Sequence, residues 1–341
     1  MNTLSIHAAR PALSDFRTFR PLTRALPVAF AFLYALTLSQ LPLDVFKDRE
    51  NYFVYIFYSQ EIFQRYTAGG VSSIIANEPI WLFFNMLLSR FLNPDNAMRV
   101  LIFIPAFIVS WQLLRRNLNH AIWMVVFLLS PQVVKNHIIH LRQGVAVAIF
   151  IFAYFSNSKW VRFSLMGVAC LIHSSLFFIC ILGVGTWSLT KLRFSPRAQA
   201  AMFFLFFAFL GAVIELFAGG ITSLAGQLGA RQAITYADAD LDISGIGFAF
   251  WGGVFLLFIS SGDAFLRGNT FAISILAFYL VIYFLTPVAG RVFESGLFVV
   301  FLAALALPHP RRIIFLWGFA SMALAQYYLR MSEPWLGFGL W

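Results

Sequence analysis

Apolar positions fall into long blocks along the chain, separated by short connectors that carry most of the charge. The blocks lie at roughly 25–43, 98–114, 119–134, 143–157, 160–172, 174–190, 199–218, 245–260, 270–287, 291–307 and 311–328. A hydrocarbon layer of about 30 Å needs on the order of 20 apolar residues per helix, with some latitude for tilt and thinning. Backbone in lipid must also satisfy its own hydrogen bonds, which a helix does. The pattern therefore predicts an all-α polytopic integral membrane protein with about eleven transmembrane helices. One further apolar stretch, EPIWLFFNMLLSRFL at 78–92, is short and opens on Glu78-Pro79. It reads as an interfacial helix lying along the outer membrane surface.

Composition strengthens that picture. The chain has 341 residues, of which 60% are hydrophobic and only 11% charged. Soluble domains carry about a quarter charged residues, so a soluble fold is excluded. Apolar blocks run the whole length, with no appended soluble domain, repeat or low-complexity tract. Residues 25–341 read as a single membrane domain behind a 1–24 tail. Arg10, Arg17, Arg20 and Arg24 in the tail face only Asp15, and the apolar run that follows has no small-residue cleavage site, so an uncleaved cytoplasmic tail is expected.

Charge sets the orientation. If 78–92 does not cross, the tail and the connectors 115–120, 158–162, 191–198, 261–269 and 308–312 share one side. They hold fourteen Lys/Arg against two acids, Asp15 and Asp263, while the remainder holds ten against twelve. Positively charged connectors stay cytoplasmic, so an N-terminus inside is expected, in a bacterial inner membrane; an outer membrane would call for β-strands. The loops at about 44–97, 135–142 and 219–244 then lie outside. The net charge of +10 belongs to this asymmetry, and no nucleic-acid partner is expected. Cys170 and Cys180 both lie in apolar helix, where neither a disulfide nor a metal site is expected.

The unusual polar residues gather on that outer side. KNHIIHLRQ places Lys135, His137, His140, Arg142 and Gln143 at the start of an apolar helix. Arginine in hydrocarbon costs about 2.5–3.5 kcal/mol on insertion scales, so Arg142 should face a cavity or an anion, or else snorkel to headgroups. Its planar donor fork matches phosphate oxygens. Arg291 opens another span at the same depth, with Glu294 one turn on as a possible ion-pair partner. Two arginines at one boundary suit a lipid-attached diphosphate.

The first outer loop, DVFKDRENYF, supplies Asp48 and Glu50, and either is a candidate general base toward a sugar hydroxyl. Glu78 in NEPIW reads first as a helix-start residue and second as a substrate contact. His173 in LIHSSLF suits orientation of a substrate. Arg231 and Tyr236 lie in the third outer loop, and Tyr52, Tyr236 and other boundary aromatics either stack on sugar rings or form the interfacial belt. The DADLD run at 238–242 is a weak metal candidate, and neither a zinc pattern nor a Ser–His–Asp triad can be assembled by spacing. No cofactor is expected.

Taken in order, DRENYFVY, NEPIW, HLRQGVAVAIFIFAYF, CLIHSSLF and GRVFESGLFVVFLAAL resemble the EpsG-like and Wzy-type polysaccharide polymerases over roughly 45–305. The resemblance implies a GT-C-like architecture and a glycosyltransferase that joins undecaprenyl-diphosphate-linked oligosaccharide repeats, as in O-antigen or exopolysaccharide synthesis. It carries over Asp48, Tyr52, Glu78, Arg142, Gln143, His173 and Arg291 as site positions. Its first-loop motif is more often Gly-Thr-Asp-Tyr, so the choice between Asp48 and Glu50 stays open. A chain-length regulator and a flippase are the protein partners such an enzyme would meet, beside the lipid bilayer. A single-sugar transferase or ligase using polyprenyl-phosphate sugars, and a transporter of lipid-linked oligosaccharide, remain as alternatives.

Overall fold

Helix starts and stops follow local chemistry. The computed structural model describes residues 20–46, 48–192, 194–216, 245–285 and 288–331, and every regular element among these is helical. Residues 217–244, which include Arg231, Tyr236 and the DADLD run, lie outside the described residues. The described residues belong to two compact units.

Among the described residues, the first unit takes in 27–46, 48–178, 216 and 321–331. It begins with α1 (Arg20–Gln40, from Pro27 onward), followed by four shorter helices: α2 (Arg49–Phe57), α3 (Ser59–Ala68), α4 (Gly70–Ala76) and α5 (Pro79–Ser89). Then comes α6 (Pro94–Arg116), whose N-cap Asn93 accepts from the Asn96 amide at 2.9 Å, with Pro94 in the first turn, where its missing N–H costs nothing. Helices α7 (Ala121–Leu128), α8 (Pro131–Ile138), α9 (Leu141–Phe155) and α10 (Lys159–Ile172) complete it. Helix α6 lies against α9 and α2, while α10 packs along α9 and α5.

One sequence-predicted element is broken in the structure, and another follows directly on a bent neighbour, both at a proline. The run 119–134 is broken: the helical stretch Leu118–Leu128 and α8 meet at 68°. Ser130 is extended and Pro131 starts the second piece, because proline cannot supply the amide that a continuous helix needs there. The helix at 79–89 is preceded by α4 at 79°, with the break at Asn77 and Glu78. A residue ahead of proline is steered out of the right-handed helical region, and Glu78 adopts φ 57° and ψ 61°.

Among the described residues, α6 alone is long and apolar enough by length and composition to cross a membrane, or up to three spans if each bent pair counts as one. Six further described helices are apolar but shorter, at 10–17 residues.

Among the described residues, the second unit takes in 20–26, 179–192, 194–215, 245–285 and 288–320. Its helices are most of α11 (Ser175–Thr190), then α12 (Pro196–Leu216), α13 (Ile246–Ile259), α14 (Asp263–Gly268), α15 (Thr270–Ile282), α16 (Val288–Leu305) and the first part of α17 (His309–Leu329). Gly296 is where α16 approaches its neighbours: a Cβ there would stand 3.0 Å from Ile275 and 3.1 Å from Ile179. Aromatic rings fill much of the remainder, with Trp251 edge-on to Phe293 at 4.7 Å and Tyr279 stacked on Phe293 at 4.2 Å. One polar contact crosses this core, from Thr186 Oγ1 to Ser274 Oγ at 2.9 Å.

Candidate active site

The first unit brings four separated motifs together. Glu78, at the kink before α5, is buried, and both its oxygens are engaged. Oε2 pairs with Nη1 of Arg142 in the first turn of α9. Oε1 lies 2.9 Å from Nδ1 of His173, the C-cap of α10, and accepts the Ser174 amide at 3.3 Å. Tyr52 of α2 closes the group: its hydroxyl accepts the Leu141 amide at 3.1 Å and hydrogen-bonds Arg142. Trp81 lies edge-on to the Tyr52 ring, with centroids 5.7 Å apart.

A carboxylate 3% exposed would be costly alone. Arg142, His173 and a backbone amide compensate it, as a buried charge requires. Arg142 keeps 21% of its side chain exposed, so the cluster has one cationic edge that is not sealed. Tyr66 of α3 is close enough to feel both Arg142 and Glu78, and the sequence reading did not include it.

Only two described non-glycine residues have positive φ, Asp48 at 67° and Glu78 at 57°. Each immediately precedes a helix that carries a cluster residue or borders one, α2 and α5. A left-handed non-glycine residue costs about 1–2 kcal/mol. Such conformations persist where the surroundings over-determine them, and they concentrate at functional sites.

The other candidates are placed as follows. Asp48 and Glu50 are exposed at the start of α2. His137 is buried on α8 with its ring edge-on to Tyr34 of α1 at 6.2 Å. His140 is half-buried at the N-cap of α9, and Gln143 is buried in its first turn. Arg291 is half-buried at the start of α16 and belongs to the second unit.

Gly144 explains the tail of the HLRQG motif. A Cβ there would press into the backbone carbonyl of Asn136, with the carbonyl carbon at 3.1 Å and His137 Nδ1 at 3.6 Å. Only glycine lets α9 come this near to α8, and that approach sets the position of Arg142 two residues earlier.

Arg49 is a second residue that the sequence reading did not include in the site. It is 3% exposed, donates from Nη2 to the Ile138 carbonyl at the end of α8, and stands 5.2 Å from the Phe46 ring centre. Its signal was available in the spacing: Arg49, Tyr52, Tyr55 and Ile56 form the buried side of α2, while Asp48, Glu50 and Asn51 are exposed.

Neither a curated protein nor a solved structure matches the chain. The model of the EpsG family matches residues 26–333, a span that contains Arg49, Tyr52, Glu78, Arg142, His173 and Arg291. The apolar helices and this match mark a membrane-integral protein associated with polysaccharide biosynthesis, and the chain belongs to the EpsG family.

Proposed function

We propose that the protein is a polysaccharide polymerase that joins undecaprenyl-diphosphate-linked oligosaccharide repeats on the outer face of a bacterial cytoplasmic membrane. The observation that carries this reading is the Tyr52–Glu78–Arg142–His173 cluster, built from four of the five motifs that resemble the polymerases. In this reading the chain has eleven spans in a GT-C-like arrangement, its N-terminus is cytoplasmic, and α2 to α5 line the outer boundary. The bent α4–α5 pair then dips into that boundary without crossing.

The donor is a growing glycan on its lipid diphosphate, and the acceptor is a second lipid-linked repeat. A hydroxyl oxygen of the acceptor attacks the anomeric carbon of the donor, and the bond from that carbon to the diphosphate oxygen breaks. The departing diphosphate gains negative charge, which a fixed guanidinium stabilises; Arg142 is assigned here. The proton of the attacking hydroxyl goes to Asp48 or Glu50, both exposed carboxylates at the start of α2. Glu78 is unsuited to that role because Arg142 and His173 already occupy its oxygens. Its part is to hold the arginine and the imidazole in register. A sugar ring would meet the half-buried Tyr66, and His173 would orient the reacting sugar.

The test is in vitro polymerisation of purified lipid-linked repeats by the reconstituted protein, with neither ATP nor an ion gradient. A ladder of products supports the reading, whereas one added sugar means a single-sugar transferase and no product means the assignment fails. Arg142→Ala should leave single lipid-linked repeats and no long polymer. Polymer of unchanged length from a well-folded Arg142→Ala protein would remove Arg142 from the mechanism.

A further inference from the structure

Between Asp95 and Glu215 the sequence carries no aspartate or glutamate, so the cations of α6 to α10 meet no carboxylate on those helices. Glu78 serves Arg142. Arg115, Arg116 and Arg162 have no ion-pair partner among the described residues, and they collect at one end of α6, α9 and α10. Gln112, buried near the end of α6, brings the first two together. Its Oε1 accepts from Arg115 Nη2 at 2.6 Å and Nε at 3.0 Å, and Arg116 Nε lies 3.5 Å from the same oxygen. Groups that share one acceptor atom at these distances stand side by side. Arg115 also lies over the Trp111 ring at 4.0 Å, and Arg116 over the Phe155 ring of α9 at 4.3 Å, a cation–π contact for each. The next residue, Ser156, offers its carbonyl to Arg162 Nη2 at 2.7 Å, which adds a guanidinium from the first turn of α10.

None of these contacts cancels charge: an amide oxygen, two aromatic faces and a backbone carbonyl hold three cations that repel one another. Arg115 and Arg116 are exposed, so an anion can reach them, and Arg162 Nε is buried without a hydrogen-bond partner. Planar guanidinium forks fixed in this way match phosphate oxygens. The place also has an apolar border. Trp160 and Phe163, one turn apart on α10, are 85% and 67% exposed, and aromatic rings of this kind belong at the boundary of lipid and water. A ligand that meets both the arginines and these rings carries a phosphate and an apolar tail. Helix α9 runs from Arg142 to this end, and α10 returns from Arg162 to His173, so about 20 Å of helix at 1.5 Å per residue separates the two places.

We infer that Arg115, Arg116 and Arg162 form a binding site for the phosphate of an anionic bilayer phospholipid, at the end of α9 remote from the Glu78–Arg142–His173 cluster. Gln112 is its positioning residue: an uncharged oxygen orients two forks and leaves their charge for the lipid. The site lies outside the proposed reaction and does not depend on the polymerase reading.

The test uses the full chain in nanodiscs of mixed phosphatidylcholine and phosphatidylglycerol, with retained lipids counted by native mass spectrometry. Wild type should retain phosphatidylglycerol in preference to phosphatidylcholine. The double variant Arg115→Gln/Arg116→Gln should lose on the order of tenfold of that preference, and Arg162→Gln about fivefold. Arg115→Lys/Arg116→Lys keeps the charge without the forks and should fall between wild type and the Gln pair. Gln112→Leu changes no charge and should still weaken the preference; if that buried substitution does not fold, the exposed arginine variants decide alone. Lys191→Gln/Arg197→Gln removes the same charge from exposed positions of another connector and should behave as wild type. A loss in this control as large as in the Arg115/Arg116 pair, or equal retention of both lipids by wild type, overturns the site. Inorganic phosphate that raises the melting temperature in phosphatidylcholine alone, through the same arginines, overturns the lipid assignment in favour of a soluble anion. No readout involves polymer formation, so failure of the site leaves the polymerase reading intact.

Discussion

Glu78 and His173, 95 positions apart in the chain, meet at 2.9 Å between Oε1 and Nδ1, and the same carboxylate holds Arg142 through its other oxygen. One side chain thus ties the α4–α5 kink to the first turn of α9 and the end of α10. Breaking a buried pair by removing one partner costs about 3–5 kcal/mol, because the survivor is left uncompensated. Glu78→Gln should therefore lower stability by up to about that amount, and Arg142→Gln should do the same. The double variant should fall well short of the sum, since the two losses are one interaction. Denaturation of the reconstituted proteins checks this, and strict additivity would show that the pair carries no coupling.

The proposed mechanism gives the proton to Asp48 or Glu50, and the two are open to a clean comparison. Asn tolerates the left-handed backbone that Asp48 adopts, so Asp48→Asn removes the charge without forcing the turn. Glu50 is exposed on α2, where Gln is tolerated equally well. Whichever residue accepts the proton should lose roughly 10²–10⁴-fold in polymerisation rate when neutralised, with little change in melting temperature. The other should stay near wild type. Equal, small effects from both would assign the proton elsewhere.

Tyr52→Phe deletes a single oxygen but affects two elements. The Leu141 amide loses its acceptor, and a buried donor left unpaired costs about 1–3 kcal/mol. Arg142 also loses a hydrogen-bond partner. The variant should be less stable by an amount in that range and slower in polymerisation; wild-type stability and rate would show that the hydroxyl carries neither contact.

Gly144→Ala should be disruptive although it adds only a methyl group. The new carbon would meet the Asn136 carbonyl, which is backbone and cannot swing aside. Overpacking of this kind costs about 1–3 kcal/mol. Gly167→Ala, where nothing lies within 4 Å, is the control and should melt at the wild-type temperature or above. Similar melting temperatures for the two variants would mean that α8 and α9 yield at this contact.

Much of the helical layout was legible in the sequence. The run at 98–114 appears as α6 (Pro94–Arg116), 143–157 as α9 (Leu141–Phe155) and 160–172 as α10 (Lys159–Ile172). Those ends are set by local chemistry, the Asn93 and Ser158 caps among it, and local chemistry is visible one residue at a time. The 68° break at Pro131 was less visible, because apolar composition continues past it and masks the change of direction. In the site, Glu78, Arg142 and His173 were legible as singular polar residues in apolar surroundings. Their mutual contact was not, since it depends on three helix ends meeting at one level. Arg49 was hidden for the opposite reason: between Asp48 and Glu50 it looks like part of a hydrated charge run, and only the periodicity of a short helix turns it inward.

The contact at Gly144 bears on how a long product can be made. With α9 seated directly on the carbonyl of Asn136, the hairpin of α8 and α9 has no slack for sliding, and the guanidinium two residues earlier keeps a constant height. In a polymerase, translocation after each added repeat would then fall to the small helices α2 to α5 and to the lipid itself, with the hairpin as the stationary reference. Repeat units of different bulk would be accommodated by those small helices, and relatives that handle other sugars are expected to vary there sooner than at the glycine.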